Sequence, residues 1–282
     1  KTIKEAFEEA TMKYLDRTFI LEKFNRKEPF KELTYREFRS DVIALGTALT
    51  EYLKIKNEKV IIIGENTYHW YVSYMTMLCG AGIAVPVDKE LPENEIQNIV
   101  DRTKATAVIY STKKKETIDK IKNKLTSVKY FIQMNSNNSL NDKEIGLSYL
   151  IKKGNELINS GNNEFMKIEI DPEEFKVLIF TSGTTSNSKG VMLCNKNLAQ
   201  NINAANAYVN IYPEDRLLSI LPLHHTYEST IGFLYPMSCG CSIAVCQGLK
   251  YIVPDLQETK PTAMLAVPLL IENLYKKINA SI

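Results

Sequence analysis

Cysteine is scarce in this chain: five in 282 residues, an odd number (Cys79, Cys194, Cys239, Cys241, Cys246). That excludes a disulfide-stapled secreted framework and predicts reduced thiols in a cytoplasmic protein. Cys239, Cys241 and Cys246 stand among apolar residues with no histidine near in sequence, so they read as small packing residues rather than zinc ligands. An excess of one charge is also lacking. Thirty-five Lys and Arg against 33 Asp and Glu leave a net charge of +2, which implies no strong field toward nucleic acid or an anionic membrane. Lys113-Lys114-Lys115 is the one basic run and reads as a solvated helix end. Long apolar runs are missing too. The longest mostly apolar stretch, Met75 to Val87, has thirteen residues, two glycines and a proline, too short to span a bilayer. The first ten residues are amphipathic and charged, unlike a secretory leader. No His-Glu-x-x-His helix pattern is present, so a metalloprotease-type zinc site is not indicated.

What remains is ordinary soluble globular composition, 44% hydrophobic and 24% charged, long enough for a sizeable core in one or two domains. Ile3 to Leu15 has helical spacing; Thr18 to Phe24 and Phe30 to Leu33 read as a hairpin. Thr34-x-x-Glu37 is a capping box, opening a helix from Tyr35 to about Leu53. Lys59 to Ile63 is a continuous apolar strand of the kind buried on both faces of a parallel sheet. Asn66 is placed to cap a helix from Thr67 to Cys79. Ala81–Val87, Ala107–Tyr110 and Lys129–Gln133 come next as strands, with helices between them. Strands alternating with helices of ten to fifteen residues predict βαβ units in an α/β fold with doubly wound, mostly parallel sheets. Met134 to Asp142 reads as an exposed loop, and Asn195 as another helix cap. Arg216–Leu221, Cys241–Cys246 and Lys260–Val267 read as further strands, with a last helix from Pro268.

The most informative run is Val177-Leu178-Ile179-Phe180, a short buried strand, continued by Thr181-Ser182-Gly183-Thr184-Thr185-Ser186-Asn187-Ser188-Lys189-Gly190. Glycines allow close backbone approach to a ligand, successive N–H groups can cradle an anion, and Lys189 adds a flexible point charge. By composition the loop is either a phosphate cradle or a solvated Ser/Thr/Gly connection. It is not a Walker A loop. Ser188 stands where that pattern needs its second glycine, and Gly190 where it needs Ser or Thr. Downstream, Leu221-Pro222-Leu223-His224-His225-Thr226-Tyr227-Glu228 comes after a strand. A histidine at a strand end can donate to a carboxylate or acyl phosphate. The pair can equally be satisfied loop histidines, and adjacent residues point different ways, so one at most is expected to face a given site.

Thr181-Ser182-Gly183-Thr184-Thr185 with Lys189-Gly190-Val191 resembles the phosphate loop of the adenylate-forming, or AMP-binding, superfamily, whose usual pattern is Thr-Ser-Gly-Thr-Thr-Gly-x-Pro-Lys-Gly. Ser186 and Ser188 depart from it. Leu221-Pro222-Leu223-His224-His225 with Glu228 resembles the family's Leu-Pro-Leu-x-His-x-x-Glu/Gly motif, most like fatty acyl-CoA synthetases. Thr34-Tyr35, Glu65-Asn66, Gly82 and Pro86 fall in family order. The resemblance implies an N-terminal portion of that fold, with a first α/β part over about 1–175 and a second, carrying the phosphate loop, over about 176–282. It implies activation of a carboxylic, fatty acid by ATP to an acyl-adenylate, then to a thioester with CoA, with Mg²⁺ as the metal. The nucleotide contacts it implies are Thr181, Ser182, Gly183, Thr184, Thr185, Ser186, Lys189 and Gly190. His225 is the implied catalytic residue, His225, Tyr227 and Glu228 the substrate contacts, and Thr184 the metal contact. The family's Tyr-Gly-x-Thr-Glu element, ribose-binding aspartate segment, hinge and adenylation lysine do not occur in these residues. The chain is therefore expected to act with a missing C-terminal part and not to catalyse adenylation alone. A non-catalytic nucleotide- or acyl-binding module and a phosphate-loop NTPase are the competing readings.

Overall fold

Every second residue of Val60-Ile61-Ile62-Ile63 faces a different core. Val60 and Ile62 are buried with the helices between two sheets, while Ile61 and Ile63 are buried with Ile96, Ile99, Val100 and Ile118 on the opposite face. A strand covered on both faces has no polar side, which is why the run is apolar throughout. The computed structural model describes residues 1–181 and 188–279, the side chains of Lys277 and Ile278 apart. In chain order its strands are β1 (Thr18–Glu22), β2 (Lys31–Thr34), β3 (Lys59–Ile63), β4 (Ile83–Val87), β5 (Ala107–Tyr110) and β6 (Tyr130–Gln133), then β7 (Glu144–Gly146), β8 (Phe175–Thr181), β9 (Lys189–Cys194), β10 (Arg216–Ser219), β11 (Ser242–Val245) and β12 (Ala263–Met264).

These form a seven-stranded sheet, β7-β6-β5-β3-β4-β8-β9, and a five-stranded sheet, β12-β10-β11-β1-β2. Among these strands only β8–β9 and β1–β2 pair antiparallel. The sheets interleave along the chain: β1 and β2 complete the sheet of β10–β12, and β8 and β9 complete that of β3–β7. This is the doubly wound α/β arrangement expected from the alternation. Helices Tyr35–Thr47 and Tyr68–Thr76 contribute to the core shared by both sheets. Its centre is aromatic. The rings of Phe19 and Phe38 lie 4.6 Å apart, and those of Tyr71 and Phe233 meet edge to face at 4.8 Å. Such pairs contribute about 0.5–1.5 kcal/mol each beyond their burial. Among the described residues no helix is long and apolar enough to cross a membrane.

Local signals held where the partner is local. Glu37 accepts from the Thr34 amide at 2.7 Å and Thr34 Oγ1 from the Glu37 amide, the expected capping box. Two asparagine caps did not form. Thr67, not Asn66, caps Tyr68–Thr76 by accepting from the Trp70 amide. Asn195 opens its helix, Asn195–Tyr208, from within and is fully buried. Its Oδ1 accepts from the Ile3 amide at 2.6 Å. The expected Tyr35–Leu53 helix continues as predicted, but its last turn widens over Ala48–Tyr52, where the Leu53 amide reaches back to the Ala48 carbonyl. The loop read over Met134 to Asp142 leads into strand β7, and the loop itself carries an isolated bridge, Ser139 to Ile145.

Helix Leu147–Asn159 packs on Tyr35–Thr47 through Gly154, where an added Cβ would lie 1.8 Å from the Ala44 carbonyl oxygen. In an open helix, Gly→Ala stabilises by roughly 0.5–1 kcal/mol. Here two backbones would have to part, so Gly154→Ala is expected to destabilise by about 1–3 kcal/mol. Urea unfolding checks it; a raised midpoint would show that the helices separate freely.

Candidate active site

Both sheets send the carboxyl ends of parallel strands to one crevice. In the larger sheet β3 has β5 on one side and β4 on the other, so the winding reverses there; in the smaller sheet β10 stands likewise between β12 and β11. Open α/β sheets bind ligands at such reversal points. The crevice is a cavity of about 990 Å³, at the upper end of what small-molecule sites occupy. Its walls reflect the topology. Glu65, Asn66 and Thr67 come after β3; Asp88, Lys89 and Glu90 after β4; Ser111, Thr112 and Lys113 after β5. Leu221, Pro222, His224 and His225 come from beyond β10, and Cys246 to Leu249 from beyond β11. Its lining is mixed, with charged residues such as Lys23, Arg26 and Lys89 and apolar ones such as Leu249, Val267, Leu269 and Leu270.

Asn66 ties the two halves together. Its Nδ2 donates to Ser219 Oγ at 3.0 Å and to the Leu221 carbonyl at 2.8 Å, and its Oδ1 accepts from the Leu223 amide at 3.2 Å. These bonds hold the start of the histidine segment against the end of β3. Ser219 Oγ also accepts from the Tyr71 hydroxyl at 2.9 Å and donates to Glu228 Oε1 at 2.6 Å.

The predicted site residues divide. His225 lines the cavity and is exposed. His224 lines it as well, with its ring centroid 4.1 Å from that of His225; the expectation that only one of the pair faces the site is corrected. The chain turns sharply after Pro222, where the His225 amide donates to the Pro222 carbonyl at 3.1 Å. Burial first, then His225, pushes the His224 imidazole down to about 4, against the opposing pull of Asp88 at 3.8 Å. His224 is thus a neutral ring at physiological pH, able to offer one donor and one acceptor. Its Nε2 and the Ser111 Oγ are buried without a hydrogen-bond partner among the described residues. Both belong to residues of the cavity wall, so a polar ligand fits there.

Tyr227 is 48% exposed and outside the cavity wall. Glu228 is 1% exposed, inside the wide-wound helix Tyr227–Leu234, with Gly232 packed against its carboxyl group. Of the phosphate loop, Ser182, Gly183, Thr184, Thr185 and Ser186 lie outside the described residues. Its ends are described: Thr181 closes β8, Lys189 opens β9, the two are paired, and Gly190 pairs with Phe180. The loop therefore joins two antiparallel strands and does not lead into a helix, unlike a Walker A loop. β4 and β8 are parallel in the register Ala84 to Val177. Thr181, Lys189 and Gly190 are not among the residues that line the cavity.

Asn66, Asp88, Ser111, His224 and Glu22 were missed as site residues. The signal was present: each but His224 ends or closely succeeds a strand of one of the sheets. Glu22 ends β1, accepts from the Tyr68 amide at 2.6 Å and lines the cavity. Among the described residues no three His, Cys, Asp or Glu side chains converge as a metal site.

Burial pushes the carboxyls of both Glu22 and Glu228 up to about 7 from an ordinary 4.5. Between those two values the folded chain holds protons that the unfolded chain has released. Their contribution to stability is thus fully present below about pH 4.5 and falls as pH rises through 7. Glu228→Gln keeps the shape and removes the charge. It is expected to flatten the fall in stability from pH 5 to pH 8 and to gain on the order of 1–3 kcal/mol at pH 8, measured by urea unfolding across that range. A slope equal to the wild type would mean that Glu228 titrates normally.

Comparison with known proteins agrees with this architecture. The profile of a family described as AMP-binding enzyme matches residues 7–281. The rat (Rattus norvegicus) long-chain-fatty-acid–CoA ligase 5 is 29% identical over 89% of this chain and 38% of its own length. A long-chain-fatty-acid–[acyl-carrier-protein] ligase of Arabidopsis thaliana, described as chloroplastic, is 24% identical over 100% of this chain and 40% of its own. The chain thus spans about 40% of the length of these relatives. Among solved structures, a long-chain-fatty-acid–CoA ligase from Archaeoglobus fulgidus superposes with a TM-score of 0.83 at 19% identity, covering 99% of this chain and 54% of its own. The adenylation–carrier didomain of a carboxylic acid reductase from Segniliparus rugosus, solved with AMP, gives 0.85 at 17% identity, covering 100% and 44%. At such identity these structures speak to the fold alone.

Proposed function

The chain belongs to the AMP-binding enzyme family, and from that premise we propose that the whole protein activates a fatty acid with ATP, giving an acyl-adenylate and then a thioester with CoA. The observation that carries this reading is the cavity at the reversal points of both sheets, lined by both polar and apolar side chains, with His224 Nε2 and Ser111 Oγ unpartnered among the described residues. A nucleotide and a long apolar acid together need that combination.

The chemical obstacle is charge: a carboxylate must approach a polyanion, and pyrophosphate must leave. Preorganised donors answer it, each typically contributing about 2.7–4 kcal/mol where charge develops. We assign the phosphates to the Thr181–Gly190 loop, with Lys189 as the flexible cation at its far end. His225 is assigned to the boundary between nucleotide and acid, where a ring nitrogen can donate to the carboxylate oxygen that remains after attack. His224, kept neutral by burial, supports that role without adding a charge the acid would have to displace. Tyr227 and Glu228 retain a supporting place: Glu228, through Ser219, braces the strand end from which the histidines project. Mg²⁺ would supply charge neutralisation at the phosphates; its proposed contact, Thr184, lies outside the described residues, and no step here depends on it. The five unpaired thiols support a reducing, cytoplasmic setting.

Calorimetric titration of ATP into this chain tests the assignment. Lys189→Ala is expected to weaken ATP binding by at least about tenfold, the weight of one charge-assisted contact; unchanged affinity would remove Lys189 from the phosphate site. The complete reaction is assigned to the whole protein, because the chain spans about 40% of its relatives' length. Carboxylate-dependent pyrophosphate release by these 282 residues alone would overturn that part.

A further inference from the structure

Arg102 stands in the last turn of helix Glu93–Thr103, exposed and outside the cavity wall. Its Nη1 donates to the Ser188 carbonyl oxygen at 2.8 Å and to Ser188 Oγ at 3.2 Å. Its guanidinium also lies over the Phe180 ring, 5.0 Å from the centroid. Phe180 is the residue before Thr181, and Ser188 the residue before Lys189, so one side chain grips both legs of the β8–β9 hairpin where the loop leaves it. Arginine suits this place: its planar face lies over the ring while one nitrogen donates to both oxygens of Ser188.

The grip has a reason in the sequence. The loop pattern that this chain resembles carries proline where Ser188 stands. Proline fixes its own φ covalently; serine does not, and it leaves the residue before Lys189 free to turn. We infer that Arg102 is a positioning residue for nucleotide binding, replacing that covalent restraint by a non-covalent one that sets Ser188 and hence the backbone of Lys189. The inference rests on the reading of the Thr181–Gly190 loop as the phosphate site. It assigns to this chain a restraint external to the loop, held by a helix of the larger sheet.

ATP titration by calorimetry, with thermal unfolding of each variant alongside, tests it on the chain itself. Arg102→Ala is expected to weaken ATP binding about tenfold with little change in thermal midpoint, because Arg102 is exposed. Ser188→Pro is expected to restore most of the lost affinity in the Arg102→Ala background. Arg102→Lys, which keeps the charge and loses the planar face, is expected to stay weak. A merely structural role would move the thermal midpoint and would not be rescued by proline. If Arg102→Ala binds ATP as the wild type does while Lys189→Ala is impaired, the positioning role is wrong and the loop reading stands. If Arg102→Lys binds normally, or proline restores nothing, Arg102 acts through charge and the inference fails. Absence of ATP binding by the wild-type chain would sink the loop reading and this inference with it.

Discussion

Three hydrogen bonds from Asn66 join the larger sheet to the smaller one at the place where both offer strand ends. An amide is suited to this because it donates and accepts at once. It satisfies the Leu221 carbonyl and the Leu223 amide, two backbone groups of an irregular segment that would otherwise be buried without partners. Such groups cost about 1–3 kcal/mol each when left unpaired. The start of the histidine segment is held to the end of β3 through this contact, beside the Tyr71–Ser219 and Tyr68–Glu22 hydrogen bonds.

Burial and polarity are balanced around that joint. Ser219 accepts from Asn66 and Tyr71 and donates to Glu228, so one hydroxyl organises an amide, a phenol and a carboxyl. Glu228 keeps one oxygen unpartnered among the described residues and is pushed toward the neutral acid by burial. A neutral carboxyl is the form such a place tolerates best. β8 and β9 pair as an antiparallel hairpin at the edge of the larger sheet. The cavity wall is built on parallel strand ends, while Arg102 contacts both legs of the edge hairpin through Phe180 and Ser188.

The features legible in the sequence were local or periodic. The apolar run Lys59–Ile63 announced a strand buried on both faces because such a strand leaves no polar position. The Thr34–Glu37 capping box was legible because donor and acceptor are three residues apart. Asn66 and Asn195 carried the same local signal and were misread, because their side chains serve partners more than 150 residues away, Leu221 and Leu223 for one and Ile3 for the other. Glu228 was expected at the substrate and is buried beneath the histidine segment, since the wide winding of Tyr227–Leu234 turns it toward Ser219.

By itself the sequence determined the class of fold, most of its strands and helices, the two motifs and the exclusion of a Walker loop, because residue periodicity and spacing are properties of the chain alone. The tertiary structure alone decided which strands share a sheet, that β1 joins a strand far later in the chain, Ile20 beside Ile243, that both histidines line one cavity, and that Asn66, Asp88 and Ser111 stand with them. Those facts depend on where strand ends converge after winding, and convergence between distant segments leaves no local trace in the order of residues.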